Sequence, residues 1–146
     1  MSLAVTTPAR SCQAPWTSLH LDPRGWVTAC TVNKRDPIGH VHDGALIDLW
    51  RSERERRFRT LFDDGAVAPG CGLCRWQRES AGDAAMYARV YDHLAPHADA
   101  DWPVHLELTL SSDCNLACAM CNGAFSSTIR RRREGLAPMR SPYGDE

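Results

Sequence analysis

The sequence lacks several features that would place it in a broad class of proteins. Its 146 residues contain no apolar run near the ~20 residues that a membrane helix needs. Residues 1–10 have neither the basic start nor the apolar core of a signal peptide. The net charge is −1, so the chain as a whole is not drawn to nucleic acid or to an anionic membrane surface. We therefore expect a cytoplasmic protein with no membrane or nucleic-acid partner.

Common catalytic motifs are missing as well. There is no glycine-rich phosphate loop, no catalytic triad and no paired-carboxylate constellation. Four consecutive arginines at 130–133 would point in different directions on a helix, so we interpret them as a solvated surface. What the chain does contain is cysteine: seven residues, an odd number that argues against complete disulfide pairing. In a reducing cytoplasm, clustered cysteines indicate metal or redox ligands.

The pattern of apolar and turn-forming residues predicts a small α+β fold. Residues 17–21 and 25–30 predict a hairpin, joined by a turn that contains proline and glycine. Apolar spacing predicts helices at 45–63, 83–94 and 126–134, and alternation predicts a strand at 104–110. A glycine-rich knuckle is expected at 69–74. We expect two domains, residues 1–97 and residues 98–146.

Three cysteines follow the predicted strand with the spacing Cys114-x3-Cys118-x2-Cys121. Three thiolates in a short loop can cover three corners of a 4Fe–4S cube and leave the fourth iron open, whereas a closed site takes four ligands. The alternative is a zinc site that His97 or His105 completes. The alternation of the strand makes His105 more typical of a residue on a strand face.

The strand and this spacing closely resemble the signature of the radical S-adenosylmethionine (radical SAM) superfamily. The resemblance implies that Cys114, Cys118 and Cys121 hold a 4Fe–4S cluster whose open iron binds S-adenosylmethionine. An external electron donor would then drive cleavage of that cofactor to a 5′-deoxyadenosyl radical. Met120 stands where the family often has an aromatic residue near the adenine, so the resemblance implies that Met120 also contacts the cofactor. Relatives often modify peptides or proteins, which would be the implied substrates.

The other four cysteines, Cys12, Cys30, Cys71 and Cys74, have the number required for a closed metal site. Their layout around a predicted hairpin and a C-x2-C knuckle resembles the SPASM and twitch auxiliary-cluster domains of radical SAM enzymes, which implies a second 4Fe–4S cluster. The longer SPASM pattern continues with further cysteines, but Ser80 stands six residues beyond Cys74, so the shorter twitch form fits better. A structural zinc ribbon and a non-catalytic iron–sulfur module are the alternatives.

The radical SAM resemblance is incomplete in two ways. The auxiliary domain usually follows the barrel, and here it precedes it. Only 25 residues follow Cys121, whereas a full β/α barrel takes ~250 residues. We therefore expect only the first β/α unit of a partial barrel, with unpaired strand edges and with Leu106, Leu108 and Leu110 uncovered. We therefore expect either a truncated protein that is inactive alone or a protein that a second chain completes. Whether this chain is itself an enzyme stays open.

Overall fold

The computed structural model describes residues 10–143, apart from the side chain of Asp64. Short helices and a four-stranded mixed sheet make up this range, so the predicted α+β class is confirmed. Residues 1–9, on which the signal-peptide expectation depends, lie outside the described residues. None of the helices in the described range is long and apolar enough to cross a membrane.

The sheet has the strand order β3-β2-β1-β4. Its strands are β1 (Ser18–Leu21), β2 (Trp26–Thr28), β3 (Gly39–His40) and β4 (His105–Leu108). The pairs β1–β2 and β2–β3 are antiparallel, and the pair β1–β4 is parallel. The predicted hairpin is thus the pair of strands β1 and β2.

The turn between β1 and β2 depends on an aspartate and a glycine. Asp22 Oδ1 accepts hydrogen bonds from the backbone N–H groups of Arg24 and Trp26, at 2.8 and 2.9 Å. Gly25 has a φ of 84°, and a Cβ at this position would lie 2.6 Å from Nε2 of His40. Because only glycine adopts this φ freely and leaves room for the imidazole, the residue fixes the turn.

In the described part of the chain, five short α-helices and three 3₁₀ segments pack around the sheet. The α-helices are α1 (Ala14–Thr17), α2 (Leu46–Trp50), α3 (Glu53–Thr60), α4 (Gly72–Ala81) and α5 (Ser127–Arg132). The 3₁₀ segments are Asp63–Gly65, Asp83–Ala85 and Tyr87–His97. The helix predicted at 126–134 is confirmed as α5, which Gly135 follows with a φ of 65°.

Two of the helix predictions were wrong in detail. The helix predicted at 45–63 is divided into α2 and α3, because Ser52 caps a new helix by accepting a hydrogen bond from the Glu55 N–H at 3.1 Å. The helix predicted at 83–94 consists of 3₁₀ turns. Its buried residues Ala88 and Tyr91 are three apart, which is the repeat of a 3₁₀ helix, while Val90 is half exposed.

Helix α4 was not predicted, because its first turn falls on the segment interpreted as a glycine-rich knuckle. The segment 69–74 does turn, but the chain becomes helical from Gly72 onward. Cys71 is therefore the residue before the helix, and Cys74 lies in its first turn.

The main core lies between one face of the sheet and the helices α2 and α3. Leu19 and Val27 are fully buried on the sheet side of this core. The helices contribute Leu49, Trp50 and Phe58, and Phe62 comes from the segment that follows α3. The aromatic rings of Phe58 and Phe62 meet edge to face, with centroids 5.1 Å apart.

Strand β4 continues the sheet but not the core. Leu19 and Leu21 of β1 are opposite Leu106 and Leu108 of β4. The two leucines of β1 are buried, whereas Leu106, Leu108 and Leu110 are 50%, 57% and 41% exposed. The leucine face is uncovered as predicted, but the prediction of two unpaired strand edges was wrong because β1 pairs with one of them. The division into two domains stays a prediction, and so does the partial barrel.

Candidate metal centre

Four cysteines that are distant in sequence line a single pocket in the described structure: Cys12, Cys30, Cys71 and Cys74. Cys12 lies just before α1, Cys30 follows β2, and the other two begin α4. The sheet, α1 and α4 therefore each contribute to one site. These are the four residues that the sequence predicts as the ligands of the closed cluster.

A glycine and an asparagine bring the start of α4 against the segment after β2. A Cβ at Gly70 would lie 2.0 Å from Asp36 Oδ2 and 2.8 Å from Asn33 Oδ1, so only glycine fits this approach without a shift of its neighbours. Asn33 is 1% exposed, and its Nδ2 donates a hydrogen bond to the sulfur of Cys71 at 3.5 Å. The side chain of Asn33 thus connects the loop after Cys30 to the C-x2-C segment.

The rest of the pocket is apolar. It has a volume of about 390 Å³, counting the part that opens to solvent. Its walls include the side chains of Phe58, Phe62, Val67, Met86, Tyr87 and Tyr91. An apolar wall of this kind limits solvent access, which is one of the factors that set the reduction potential of an iron–sulfur cluster.

Burial raises the pKa values of three thiols in this pocket, so they are weaker acids than exposed thiols. It raises the pKa of Cys71 to about 12, and it also raises the pKa values of Cys12 and Cys30. Proximity of the other thiols adds to the shift, since Cys30 and Cys74 both raise the pKa of Cys71. A cationic metal centre is needed to hold such thiols as thiolates at neutral pH, and its binding would release protons.

Hydrogen bonds to sulfur are already formed at this site. The backbone N–H of Ala14 donates to the sulfur of Cys12 at 3.4 Å. The backbone N–H groups of Val32 and Asn33 donate to Cys30 and partly offset the rise in its pKa. Donors of this kind stabilise a thiolate and tune a metal centre that the thiolate ligates.

Four thiolates can hold either one zinc ion or a 4Fe–4S cluster. Within residues 10–143, no three His, Cys, Asp or Glu side chains lie close enough together to hold one metal ion. Tetrahedral zinc would hold its sulfurs about 3.8 Å apart, because each Zn–S bond is about 2.3 Å long. A four-iron cluster ligates each thiolate at a different iron, so its ligands are farther apart. The number of thiols alone therefore allows either occupant.

The second group of cysteines lies on the loop that connects β4 to α5. Cys114 and Cys121 are partly exposed, and Cys118 is exposed. The order is strand, cysteine loop and helix, as the sequence predicts for the first β/α unit. The structure thus separates the seven cysteines into a pocket of four and a loop of three.

Two serines at the start of α5 hold the beginning of this loop. Ser126 is fully buried, and its Oγ donates to the carbonyl of Leu116 at 2.7 Å and accepts from the Ile129 N–H at 3.2 Å. Ser127 Oγ accepts from the Cys114 N–H at 3.2 Å. The N-cap Ser126 and the first helical residue Ser127 therefore both contact the backbone of the first cysteine.

Met120, His97 and His105 are the other residues that the sequence analysis associates with this site. Met120 is 95% exposed, and its predicted contact with a cofactor stays a prediction. The ring of His105 lies edge-on to Tyr91, with centroids 6.0 Å apart, and its Nε2 is 3.6 Å from Glu107 Oε1. Neither His97 nor His105 belongs to a group of three potential ligands in the described range, and the zinc alternative stays a prediction.

Several residues of the buried site were not predicted from the sequence. The only indication of Asn33 in the sequence is its position three residues after Cys30. Tyr87 and Tyr91 fall within the helix predicted at 83–94, and the structure places both in the pocket wall. Such neighbours depend on contacts between segments that are far apart in the chain.

Comparison with known families agrees with this geometry. Residues 12–75 match the family model of SPASM, an iron–sulfur cluster-binding domain. The SPASM match begins at Cys12 and ends directly after Cys74, so it contains all four cysteines of the buried pocket and none of the loop. Searches of curated proteins and of solved structures gave no significant match. The match favours an iron–sulfur cluster over zinc in the buried pocket.

Proposed function

We propose that this chain is an iron–sulfur protein with two separate clusters, the second of which binds S-adenosylmethionine as in the radical SAM superfamily. The observation that carries the proposal is the division of the cysteines. Four of them line the pocket within the SPASM match, which leaves three for the loop after β4. No cysteine remains to complete a four-thiolate site in that loop.

The buried pocket is the auxiliary site of this proposal. Cys12, Cys30, Cys71 and Cys74 would provide one thiolate to each iron of a 4Fe–4S cluster. Asn33 and the N–H of Ala14 would remain hydrogen-bonded to sulfur and steady the ligands. This arrangement has no position open to a substrate, so its role is structural or in electron transfer.

The loop site is the reactive one. Cys114, Cys118 and Cys121 would hold three irons, and the capping serines of α5 would fix the backbone at Cys114. A bound cluster with one open iron would supply a place for the amino and carboxylate groups of S-adenosylmethionine and the electron that cleaves it. The exposure of Cys118 and Met120 is consistent with a ligand that approaches from this side.

The partners of this reaction follow from the same proposal. An external electron donor would reduce the loop cluster, and a peptide or protein would be the substrate. Further β/α units, in this polypeptide or in a second chain, would cover the exposed leucines of β4. The exposure of Leu106 and Leu108 supports this last point, since strands of a β/α barrel are covered on both faces.

The test is electron paramagnetic resonance of the full chain after anaerobic reconstitution and reduction. We expect S-adenosylmethionine to change the spectrum of one cluster signal and to leave the other unchanged. The change should vanish in Cys118→Ser and persist in Cys74→Ser, which is the matched variant in the other site. A spectrum that S-adenosylmethionine does not alter, or an alteration that persists in Cys118→Ser, would contradict the proposal in favour of a non-catalytic iron–sulfur module.

A further inference from the structure

An open cleft lies between the β1–β2 hairpin and the loop that follows Cys121. It has a volume of about 1030 Å³, counting its open mouth, compared with about 390 Å³ for the cysteine pocket measured in the same way. The turn, strand β2 and the segment after it form one wall. Ala124 and Phe125 form the other. The cleft thus connects the SPASM-matched segment with the cysteine loop.

The charge of this cleft is predominantly positive. Arg24, Lys34 and Arg35 line it, against the single carboxylate of Asp22. That carboxylate already accepts hydrogen bonds from two backbone N–H groups of its own turn. Within residues 10–143, none of the three cations has a carboxylate within 4.0 Å. The cleft therefore offers positive charge that the described protein does not neutralise.

Aromatic and proline side chains form the apolar part of the cleft. Trp26 is 44% exposed and Phe125 is 43% exposed, although both are large apolar residues. The ammonium of Lys34 lies 5.8 Å from the centre of the Phe125 ring, so a cation and an aromatic face are presented together. Pro23 and Pro37 complete the apolar lining. Exposed aromatics beside cations are typical of a recognition surface.

We propose that this cleft binds an acidic peptide segment that carries an aromatic or large aliphatic side chain. The cations come from two separate loops and are distributed along the cleft, which suits several carboxylates on an extended chain. No glycine-rich loop or helix N-terminus lines the cleft to hold a phosphate group, so a nucleotide fits less well. The binding does not depend on either cluster, whereas its use as the substrate site rests on the proposed function.

Lys34 is the only lysine in the sequence, which allows the site to be located chemically. The probe is a fluorescent eight-residue peptide of Glu, Leu and Phe with an amidated C-terminus. A carbodiimide would couple its carboxylates to an adjacent amine, and mass spectrometry would identify the modified residue. We expect coupling at Lys34 in the full chain and none at that position in Lys34→Arg. Coupling confined to the amino group of Met1 would contradict the proposal.

Binding strength is measured by fluorescence anisotropy of the same peptide. We expect the Glu peptide to bind at least about ten-fold more tightly than its Gln analogue at low salt, because the attraction is electrostatic. The double variant Lys34→Gln/Arg35→Gln should lose this preference for the Glu peptide, whereas Lys34→Arg should retain it. Trp26→Leu should weaken the binding of both peptides by a few-fold through lost aromatic contact.

The matched control is Arg131→Gln/Arg132→Gln, which removes the same charge from exposed positions on α5. It should leave binding unchanged. Equal loss in the control and in the cleft variant would contradict the proposal, since it would show attraction to the overall charge only. Displacement of the peptide by ADP, together with ADP binding that Lys34→Gln/Arg35→Gln abolishes, would also contradict it and indicate a nucleotide site. Loss of cluster signals with peptide binding intact would count against the proposed function alone.

Discussion

The two groups of cysteines occupy opposite environments in one small protein. Cys30, Cys71 and Cys74 are each 7% exposed and line an apolar pocket, whereas Cys118 lies on an exposed loop. The pocket is formed by packing between distant segments. The loop is formed by local capping at the start of α5. The cysteines of the buried group are therefore part of the core, and those of the exposed group lie at its surface.

This difference indicates which of the two proposed metal sites would contribute to folding. A cluster in the pocket would connect α1, the end of β2 and α4, so its binding free energy would also be folding free energy. A cluster in the loop would connect residues only a few positions apart and would stabilise little beyond the loop itself. Access from solvent follows the opposite order, because the loop cysteines are more exposed than the cysteines of the pocket.

The largest expected effect is the loss of the buried site. The variant Cys71→Ser/Cys74→Ser should lose about four irons per chain and several kcal/mol of folding free energy, because metal binding and packing are coupled there. Iron analysis and urea unfolding of the anaerobically reconstituted chain measure both. The matched variant Cys118→Ser/Cys121→Ser should lose as much iron with little change in the unfolding midpoint. Equal loss of stability in the two variants would remove the distinction between the sites.

An intermediate effect is expected at a buried carboxylate beside the pocket. Glu55 lies on the face of α3 that carries Phe58 and is fully buried. Its partner Arg59 is 3.2 Å away but donates to the Pro15 carbonyl at 2.8 Å, and neither carboxylate oxygen accepts an aligned hydrogen bond within the described residues. Burial raises the pKa of Glu55 to about 8 and outweighs the opposing effect of Arg59.

This pKa gives stability a defined dependence on pH. The folded chain keeps a proton on Glu55 between the ordinary pKa of 4.5 and about 8, where the unfolded chain releases it. The contribution of Glu55 to the free energy of unfolding is therefore fully present below pH 4.5 and is lost as the pH rises toward 8. Glu55→Gln should be more stable than the parent at pH 9 by on the order of 2 kcal/mol, with a smaller gain at pH 6.

The control for this measurement is Glu53→Gln on the same helix. Glu53 pairs with Arg57 at 2.6 Å, but both side chains are exposed, so its effect should be below about 0.5 kcal/mol at either pH. Urea unfolding of the parent and of both variants at pH 6 and pH 9 gives the change in stability of each variant at each pH. A Glu55→Gln variant whose gain does not grow with pH would show that the buried carboxyl is not the source of the dependence.

A smaller effect is expected at the serine that anchors the exposed loop. Ser126→Ala should remove a helix cap and the contact to Leu116, at a cost of about 1 kcal/mol. Amide hydrogen exchange should accelerate in the loop 111–125 and stay unchanged around the pocket. Ser52→Ala removes the corresponding cap of α3 and should leave the loop unaffected. Faster exchange at the pocket in Ser126→Ala would show that the two regions are not independent.

The sequence predicted which cysteines group together better than it predicted the structure around them. Cysteine spacing identified the pocket of four, since ligand chemistry is carried by residue type and survives errors in secondary structure. Helix α4 was missed because glycines on both sides of Cys71 mimic a loop. The parallel pairing of β4 with β1 was also missed, because pairing between distant strands leaves no local pattern. Asn33 and the tyrosines of the pocket wall became apparent only once distant segments were in contact.

The most direct test of the account is metal analysis of the variant Cys114→Ser/Cys118→Ser/Cys121→Ser, which retains only the four pocket cysteines. After anaerobic reconstitution, we predict about four irons and four sulfides per chain, with the Mössbauer spectrum of a 4Fe–4S cluster. One zinc per chain without iron, or no bound metal in a folded chain, would contradict the central claim that the buried pocket is an iron–sulfur site.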